Sequence, residues 1–269
     1  MDPPADQSFP DPDRGQDGRG TPRILIVAGS DSGGGAGIQA DIKTVTMLGA
    51  HAMTAVTAIT AQNTLGVQAV QALPAELVVA QMRSCIDDIG VDAVKIGMIG
   101  SAAVAHAVAD VLEDGTVPIV FDPVMVATSG AVLADAETIA AFARLMALAT
   151  VVTPNLPELA ALGGRKAVLG FGCSLVEKGG HAGGAEIVDA LWSPAGLVRE
   201  SRAKRIDTRS THGTGCTFAS ALATGLGAGM GIEEAFARAV SFVRIALIEA
   251  PGLGQGHGPL GQQFVTDFQ

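Results

Sequence analysis

Short apolar runs flanked by glycine or proline alternate along this chain with longer stretches in which apolar positions recur every three or four residues. Ile24 to Ala28 (ILIVA) is the first such run, apolar at every position as a strand covered on both faces must be. A glycine loop follows, GSDSGGGAG from Gly29 to Gly37, and then IQADIKTVTMLG spaces Ile38, Ile42, Val45 and Leu48 for a helix. A second strand is expected over Ala52 to Thr60, with Ala61-Gln62-Asn63-Thr64 as its polar end. The pattern then predicts a helix over Ala75 to Asp88, a strand over 91–98, a helix over Ser101 to Glu113 and a strand over 118–123. A helix over Asp135 to Ala147 and a strand over 150–154 complete this part. Strands alternating with helices predict an α/β fold, a parallel sheet covered on both faces, with right-handed crossovers. Its functional loops belong at the carboxyl ends of the strands.

Beyond Pro154 the regularity falters. NLPELAALGG makes a short helix, and RKAVLGFGC leaves about two turns before the strand SLVEKG. Strand-like pieces EIVDALW and GLVRESRAKRI lead to Thr211-His212-Gly213-Thr214-Gly215-Cys216, then to helices from about Thr217 to Gly227 and from Ile232 to Ala250. Ser210 to Ile232 is uncharged and long enough to cross a bilayer, yet its six glycines and His212 fit a buried loop and helix better. The first twenty residues hold five Asp, four Pro and three Gly, and residues 1–22 are expected to be a disordered tail. Residues 23–265 then form a single domain.

Composition narrows the function. A net charge of −10 lacks the basic field that nucleic acid or an anionic membrane surface demands, so both are excluded as partners. Three scattered cysteines, Cys85, Cys173 and Cys216, suit neither a disulfide framework nor a zinc cluster, and a cytoplasmic setting is expected. The oligomeric state is left open, a homodimer being compatible with the sequence.

Two loops carry candidate chemistry. Gly33 to Gly37 lacks the Gly-Lys-Ser/Thr end of a P-loop and the spacing of a dinucleotide fingerprint, so alone it reads equally well as a close-packing device. Gly213-Thr214-Gly215-Cys216 says more, because small residues at a helix start leave amides unpaired along a positive macrodipole, a ready phosphate site. Cys216 sits where that field favours a thiolate, able to act as a base or to position a hydroxyl; the competing reading is an inert core cysteine.

GSDSGGGAGIQADIKT, TAQNTLGVQ, KIGMIGS, FDPVM, TPNLPEL, KGGH, STHGTGC and GLGQGHGP occur in an order that closely resembles the hydroxymethylpyrimidine/phosphomethylpyrimidine kinases of thiamin biosynthesis. The resemblance runs from about Ile24 to Gly261 and implies a ribokinase-like three-layer α/β/α sandwich with a mostly parallel central sheet. It also implies that ATP and Mg2+ serve to phosphorylate a hydroxymethyl aminopyrimidine and then its monophosphate. On the matching positions Gln62 hydrogen-bonds the pyrimidine, a planar amide against an aminopyrimidine edge. Gly29, Ala36, Asp41, Thr60 and Met98 line the same pocket. For Asp41 the other reading is a helix-surface carboxylate with Lys43 and Lys95 as solvated partners; for Thr60 and Met98 it is core packing.

At the nucleotide end, Asn155 and Glu158 match an NxxE pattern that organises magnesium and its waters, and a capped helix start is the competing explanation. Asp122 supports the metal or phosphate region, Lys178 places a cation beside the transferring phosphates, and Gly213, Thr214 and Gly215 form the anion hole. Cys216 stands where related sugar kinases carry an aspartate base, and is expected to assist the substrate hydroxyl.

Three features depart from the family pattern. Gln255 replaces a lysine of the terminal glycine loop, the stretch between Glu158 and Lys178 is short, and Glu177 puts a charge where an apolar strand residue is expected. The alternatives are therefore a pyridoxal or pyridoxine kinase of the same superfamily, or a catalytically weakened pyrimidine-binding regulatory protein.

Overall fold

Ile24 to Ala28 are all fully buried because their strand lies inside a sheet with helices on both sides. Ile24, Ile26 and Ala28 face one layer, Leu25 and Val27 the other, as the two-residue period of a strand requires. The computed structural model describes residues 20–128, 130–181 and 183–266; residues 1–19 of the expected tail lie outside them.

The strands are β1 (Arg23–Asp31), β2 (His51–Asn63), β3 (Gly66–Ala72), β4 (Ala93–Ile96), β5 (Ile119–Phe121), β6 (Val151–Val152), β7 (Ser174–Glu177), β8 (Glu186–Ser193) and β9 (Gly196–Lys204). They form one sheet in the order β3-β2-β1-β4-β5-β6-β7-β8-β9. From β2 to β7 neighbouring strands are parallel, and β3, β8 and β9 add antiparallel margins. The helices are α1 (Gly37–Met47), α2 (Ala75–Asp88), α3 (Ala102–Leu112), α4 (Ala136–Leu148), α5 (Leu156–Ala161), α6 (Arg165–Leu169), α7 (Thr214–Gly227) and α8 (Ile232–Ile248). One face of the sheet buries Val78 and Met82 of α2, Val108 of α3 and Phe142 of α4; the other buries Val45 of α1, Leu222 of α7 and Phe236 of α8. This is the expected three-layer α/β/α sandwich. Strand order reverses around β1, which has β2 on one side and β4 on the other, so a crevice opens at its carboxyl end.

Two local expectations are corrected. Ala52 to Thr60 extends to Asn63 and turns back as β3, a strand the apolar pattern did not reveal because most of its residues are exposed. The turn is made by Asn63, whose Oδ1 accepts the amides of Leu65 and Gly66. Helix α7 starts at Thr214 rather than Thr217, capped by Gly213 at φ 90°, so Thr214, Gly215 and Cys216 are its first turn. The short stretch before Lys178 folds as expected, with the short α5, the five-residue α6, and β7 paired with β6. There Glu177 is satisfied: Arg165 donates to both its oxygens at 3.1 and 2.7 Å while stacking over Trp192 at 3.6 Å. Among the described residues no helix is long and apolar enough to cross a membrane, and the uncharged stretch folds into α7, buried from Thr217 to Leu226.

Candidate active site

The carboxyl ends of β1, β2, β4, β5 and β7 open on one cavity of about 920 Å³, closed on another side by the start of α7. Gly29, Ala36, Thr60, Gln62 and Met98 all line it, as do Asp122, Asn155, Glu158, Lys178 and the run Gly213 to Cys216. A Cβ at Gly29 would strike Met98 Cε, the movable end of a flexible side chain, so glycine lets the thioether lie along the wall without shifting. Thr60 Oγ1 donates to Ser30 O at 2.9 Å, tying β2 to β1 beside the pocket.

Asp41 does not line the cavity. It is fully buried on the inner face of α1, where Lys95 of β4 donates to its Oδ2 at 2.8 Å and Ser220 of α7 to its Oδ1 at 2.8 Å. Both earlier readings are therefore corrected: the carboxylate is neither a surface group nor a wall of the pocket, Lys95 is itself fully buried, and Lys43 instead donates to Gly34 O. Lys95 stands between Asp41 and the cavity, whose wall it forms in part. The sequence reading did not assign it to the site, since a lysine inside an apolar strand looks like an edge residue.

At the other end Lys178 Nζ donates to Asp122 Oδ1 at 2.7 Å, and Thr153 Oγ1 donates to the same oxygen at 3.0 Å. Burial works against the ammonium, but Asp122 and Glu158 outweigh it and hold Lys178 protonated above its usual range. Gly215 fits against this pair, for a Cβ there would lie 3.2 Å from Lys178 Nζ and 3.3 Å from Asp122 Oδ2. Thr217 N donates to Gly213 O and Thr214 N to Thr211 O, which leaves the amides of Gly215 and Cys216 without a backbone partner among the described residues. Gly215, Cys216 and Lys178 all line the cavity, so unpaired amides and a cation share one wall, an arrangement suited to a phosphoryl group.

Asn155 and Glu158 form a complete capping box: Asn155 Oδ1 accepts the Glu158 amide at 2.9 Å, and Glu158 Oε2 accepts the Asn155 amide at 2.8 Å. The helix-cap explanation thus holds for both side chains. Glu158 also lines the cavity beside Asp122, and the Met125 backbone adds a further hydrogen bond to its carboxylate. Burial, with repulsion from Asp122 added and Lys178 opposing, pushes the Glu158 carboxyl up to about 7. Because this folded-state pKa lies above the ordinary 4.5, the group's contribution to stability is complete below pH 4.5 and is lost as pH rises through about 7. In chelator, Glu158→Gln is therefore expected to gain stability relative to the parent between pH 4.5 and 7.5, read from urea midpoints; a pH-independent difference would contradict the assigned burial.

The expected thiolate at Cys216 is also corrected. Burial pushes the thiol up to about 11, although the Lys95 cation works in the opposite direction. The field at the start of α7 loses to desolvation. Gln255 is exposed and is not among the residues that line the cavity; its neighbours Gly254 and Gly256 fit closely around Thr64 in the β2–β3 turn.

The sequence reading missed Asp31 and His212, both on the cavity wall, where His212 Nε2 lies 2.8 Å from Asp31 Oδ2. Each is the one ionisable residue of its glycine-rich stretch, Gly29 to Gly37 and Thr211 to Gly215, a signal that was present but carried no chemistry until the two were brought together. The far end of the cavity, formed by Ile187, Ile206, Val243 and Leu247, was also missed; these are ordinary apolar positions of β8, a loop and α8.

The chain matches the family described as phosphomethylpyrimidine kinase over residues 31–261. It is 47% identical over 254 residues to a hydroxymethylpyrimidine/phosphomethylpyrimidine kinase of Streptomyces coelicolor, spanning 89% of this chain and 93% of that one. It is 46% identical to a thiamine biosynthesis bifunctional protein of Geobacter sulfurreducens, covering 88% of this chain and 51% of that longer protein. The fold is similar to that of a Bacillus subtilis pyridoxal kinase solved as an ADP complex, with a TM-score of 0.82 and 33% identity, over 90% of this chain and 98% of that one. On the strength of these matches, the chain belongs to the phosphomethylpyrimidine kinase family.

Proposed function

We propose that this protein is a kinase that transfers the γ-phosphoryl group of ATP to 4-amino-5-hydroxymethyl-2-methylpyrimidine, and then a second one to the resulting monophosphate. This places the product in thiamin biosynthesis, the process named for the Geobacter sulfurreducens relative. The observation that carries the reading is one cavity that brings together three unlike groups of residues: Gln62, Gly29 and Met98; Lys178 and the first turn of α7; and the apolar Ile187 and Leu247. An amide offering one donor and one acceptor suits an aminopyrimidine edge. The apolar far end, with Ile187 and Leu247, suits an adenine.

In the first transfer the hydroxymethyl oxygen bonds to the γ-phosphorus while the bond from that phosphorus to the β-bridging oxygen breaks, and ADP leaves. Lys178 and the amides of Gly215 and Cys216 hold the three equatorial oxygens, and the thiolate form of Cys216, a minor species at neutral pH, takes the alcohol proton and becomes the thiol. In the second transfer an oxygen of the monophosphate is the nucleophile and needs no base. Thr214 and Gly213 keep the anion hole in shape.

Among the described residues no group of three or more His, Cys, Asp and Glu could hold a metal by itself. Asp122 and Glu158 fit an ion that arrives with the nucleotide and keeps most of its waters, as Mg2+ does. When bound, Mg2+ would neutralise phosphate charge at this end, with Asn155 orienting Glu158 through the helix cap.

The test is turnover of ATP with the hydroxymethylpyrimidine, its monophosphate or pyridoxal as acceptor. Turnover of both pyrimidines supports the proposal. Pyridoxal as the preferred acceptor would favour a pyridoxal kinase, and pyrimidine binding without turnover a regulatory protein. Gln62→Ala is expected to raise the pyrimidine KM by about five- to tenfold, the loss of roughly 1 kcal/mol for one neutral hydrogen bond, with the KM for ATP unchanged. Unchanged pyrimidine affinity by calorimetry would remove Gln62 from the acceptor site.

A further inference from the structure

Asp31 is the hub of a network that joins the acceptor end of the cavity to the loop before α7. Its Oδ1 accepts the amide of Gly33 at 2.8 Å, and its Oδ2 accepts the amides of Gly35 at 3.0 Å and Ala36 at 2.8 Å. His212 Nε2 approaches the same Oδ2 at 2.8 Å. Although burial opposes it, the bond from His212 and those from the amides of Ala36 and Gly33 hold the carboxyl below its usual range. An ionised carboxylate only accepts, so Nε2 of His212 carries a proton directed at Asp31. The fit is tight: a Cβ on Gly35 would come within 2.5 Å of His212 Cδ2, and one on Gly213 would strike Gly35 O.

This fixes what Gln62 can be. One end of its amide lies 3.2 Å from His212 Nε2 and the other 3.1 Å from Thr60 Oγ1. As placed, Nε2 faces His212, a donor against a donor. Half a turn about the last side-chain bond exchanges O and N without moving the side chain. Oε1 then accepts a share of the His212 proton, while Nε2 donates to Thr60 Oγ1, whose own hydrogen goes to Ser30 O at 2.9 Å. All partners are satisfied in that orientation alone. Gln62 is left with one N–H and one carbonyl lone pair of fixed handedness on the cavity wall.

We propose that Asp31 and His212 are positioning residues that lock the Gln62 amide and thereby set acceptor specificity, favouring a ring nitrogen beside an exocyclic amine over a pyridine ring without that amine. The proposal rests on Gln62 contacting the acceptor, as in the function proposed above. A locked amide discriminates because the wrong edge leaves a donor or an acceptor unpaired, whereas a freely turning amide adapts to either edge.

The experiment measures kcat/KM for the hydroxymethylpyrimidine and for pyridoxal in the parent, His212→Phe, His212→Gln and Asp31→Asn. Where pyridoxal is not turned over, its inhibition constant against the pyrimidine takes its place. His212→Phe is expected to reduce the preference for the pyrimidine at least tenfold, through the pyrimidine KM, with the KM for ATP unchanged. His212→Gln, which can return an N–H to a similar place, is expected to restore most of it. A folded His212→Phe that keeps the parent's preference, or loses activity toward both acceptors equally, overturns the lock; should it not fold, Asp31→Asn carries the same two outcomes. A parent that turns over neither pyrimidine overturns the proposed function instead, so the two failures are distinct.

Discussion

Lys95→Met is expected to cost about 3–5 kcal/mol of folding free energy, the usual penalty for removing one partner of a buried ion pair. Asp41 would remain fully buried with only the Ser220 hydroxyl to hold its charge. The result is read from urea denaturation of parent and variant. The deficit should shrink on acidification: burial already raises the Asp41 carboxyl and Lys95 counters that rise. Without Lys95 the folded-state pKa climbs further, and a raised acid contributes stability below the unfolded pKa of 3.8 that is lost as pH rises through the folded value. Replacing both residues, Lys95→Met with Asp41→Leu, should recover much of the loss, since a well-packed apolar pair substitutes for a buried ion pair at little cost. A single variant within about 1 kcal/mol of the parent at pH 7 would mean that the pair is hydrated and not part of the core.

Cys216→Ala is expected to lower kcat for the hydroxymethylpyrimidine by about 10²–10⁴-fold, the range typical of losing a general base. With the thiol pushed up to about 11, the acting thiolate is a minor species at neutral pH. The parent's log kcat should therefore rise with pH, with a slope approaching one between about pH 6 and 9, while the alanine variant stays flat. Cys216→Asp is expected to restore part of the rate without that slope, because a carboxylate is already ionised there. Transfer to the monophosphate, whose oxygen needs no deprotonation, should suffer much less from the alanine substitution. Equal losses in both transfers, or a parent rate indifferent to pH, would make Cys216 a packing residue at the start of α7. Alkylation of the thiol that bound pyrimidine does not slow would point the same way.

Lys95 and Cys216 also mark where local pattern stops being informative. Lys95 lies in VKIGM, where an apolar run bounded by glycine announces a buried strand and the lysine looks like an exception. Its partner Asp41 is 54 residues away on another element. At Cys216 a local rule, the field of a helix N-terminus, was outweighed by burial contributed by distant chain.

By itself the sequence determined the alternation of buried strands and amphipathic helices, hence the layered α/β fold, because each element's hydrophobic period is a local property. It also determined the small residues of the two glycine runs, and with them where the backbone comes close to another group. The match of Asn155 and Glu158 to a helix cap was equally local, needing only a three-residue spacing. The tertiary structure alone decided the rest. β3 forms by pairing with β2 rather than by its own hydrophobicity, and Asp41 is core rather than surface. Asp31 and His212, 181 residues apart, meet only because α1 and α7 pack on the same face of the sheet and bring their glycine loops into contact. Charges and hydrogen-bond donors carry no label of their partners along the chain, so which of them face the cavity, and in what protonation state, follows from packing.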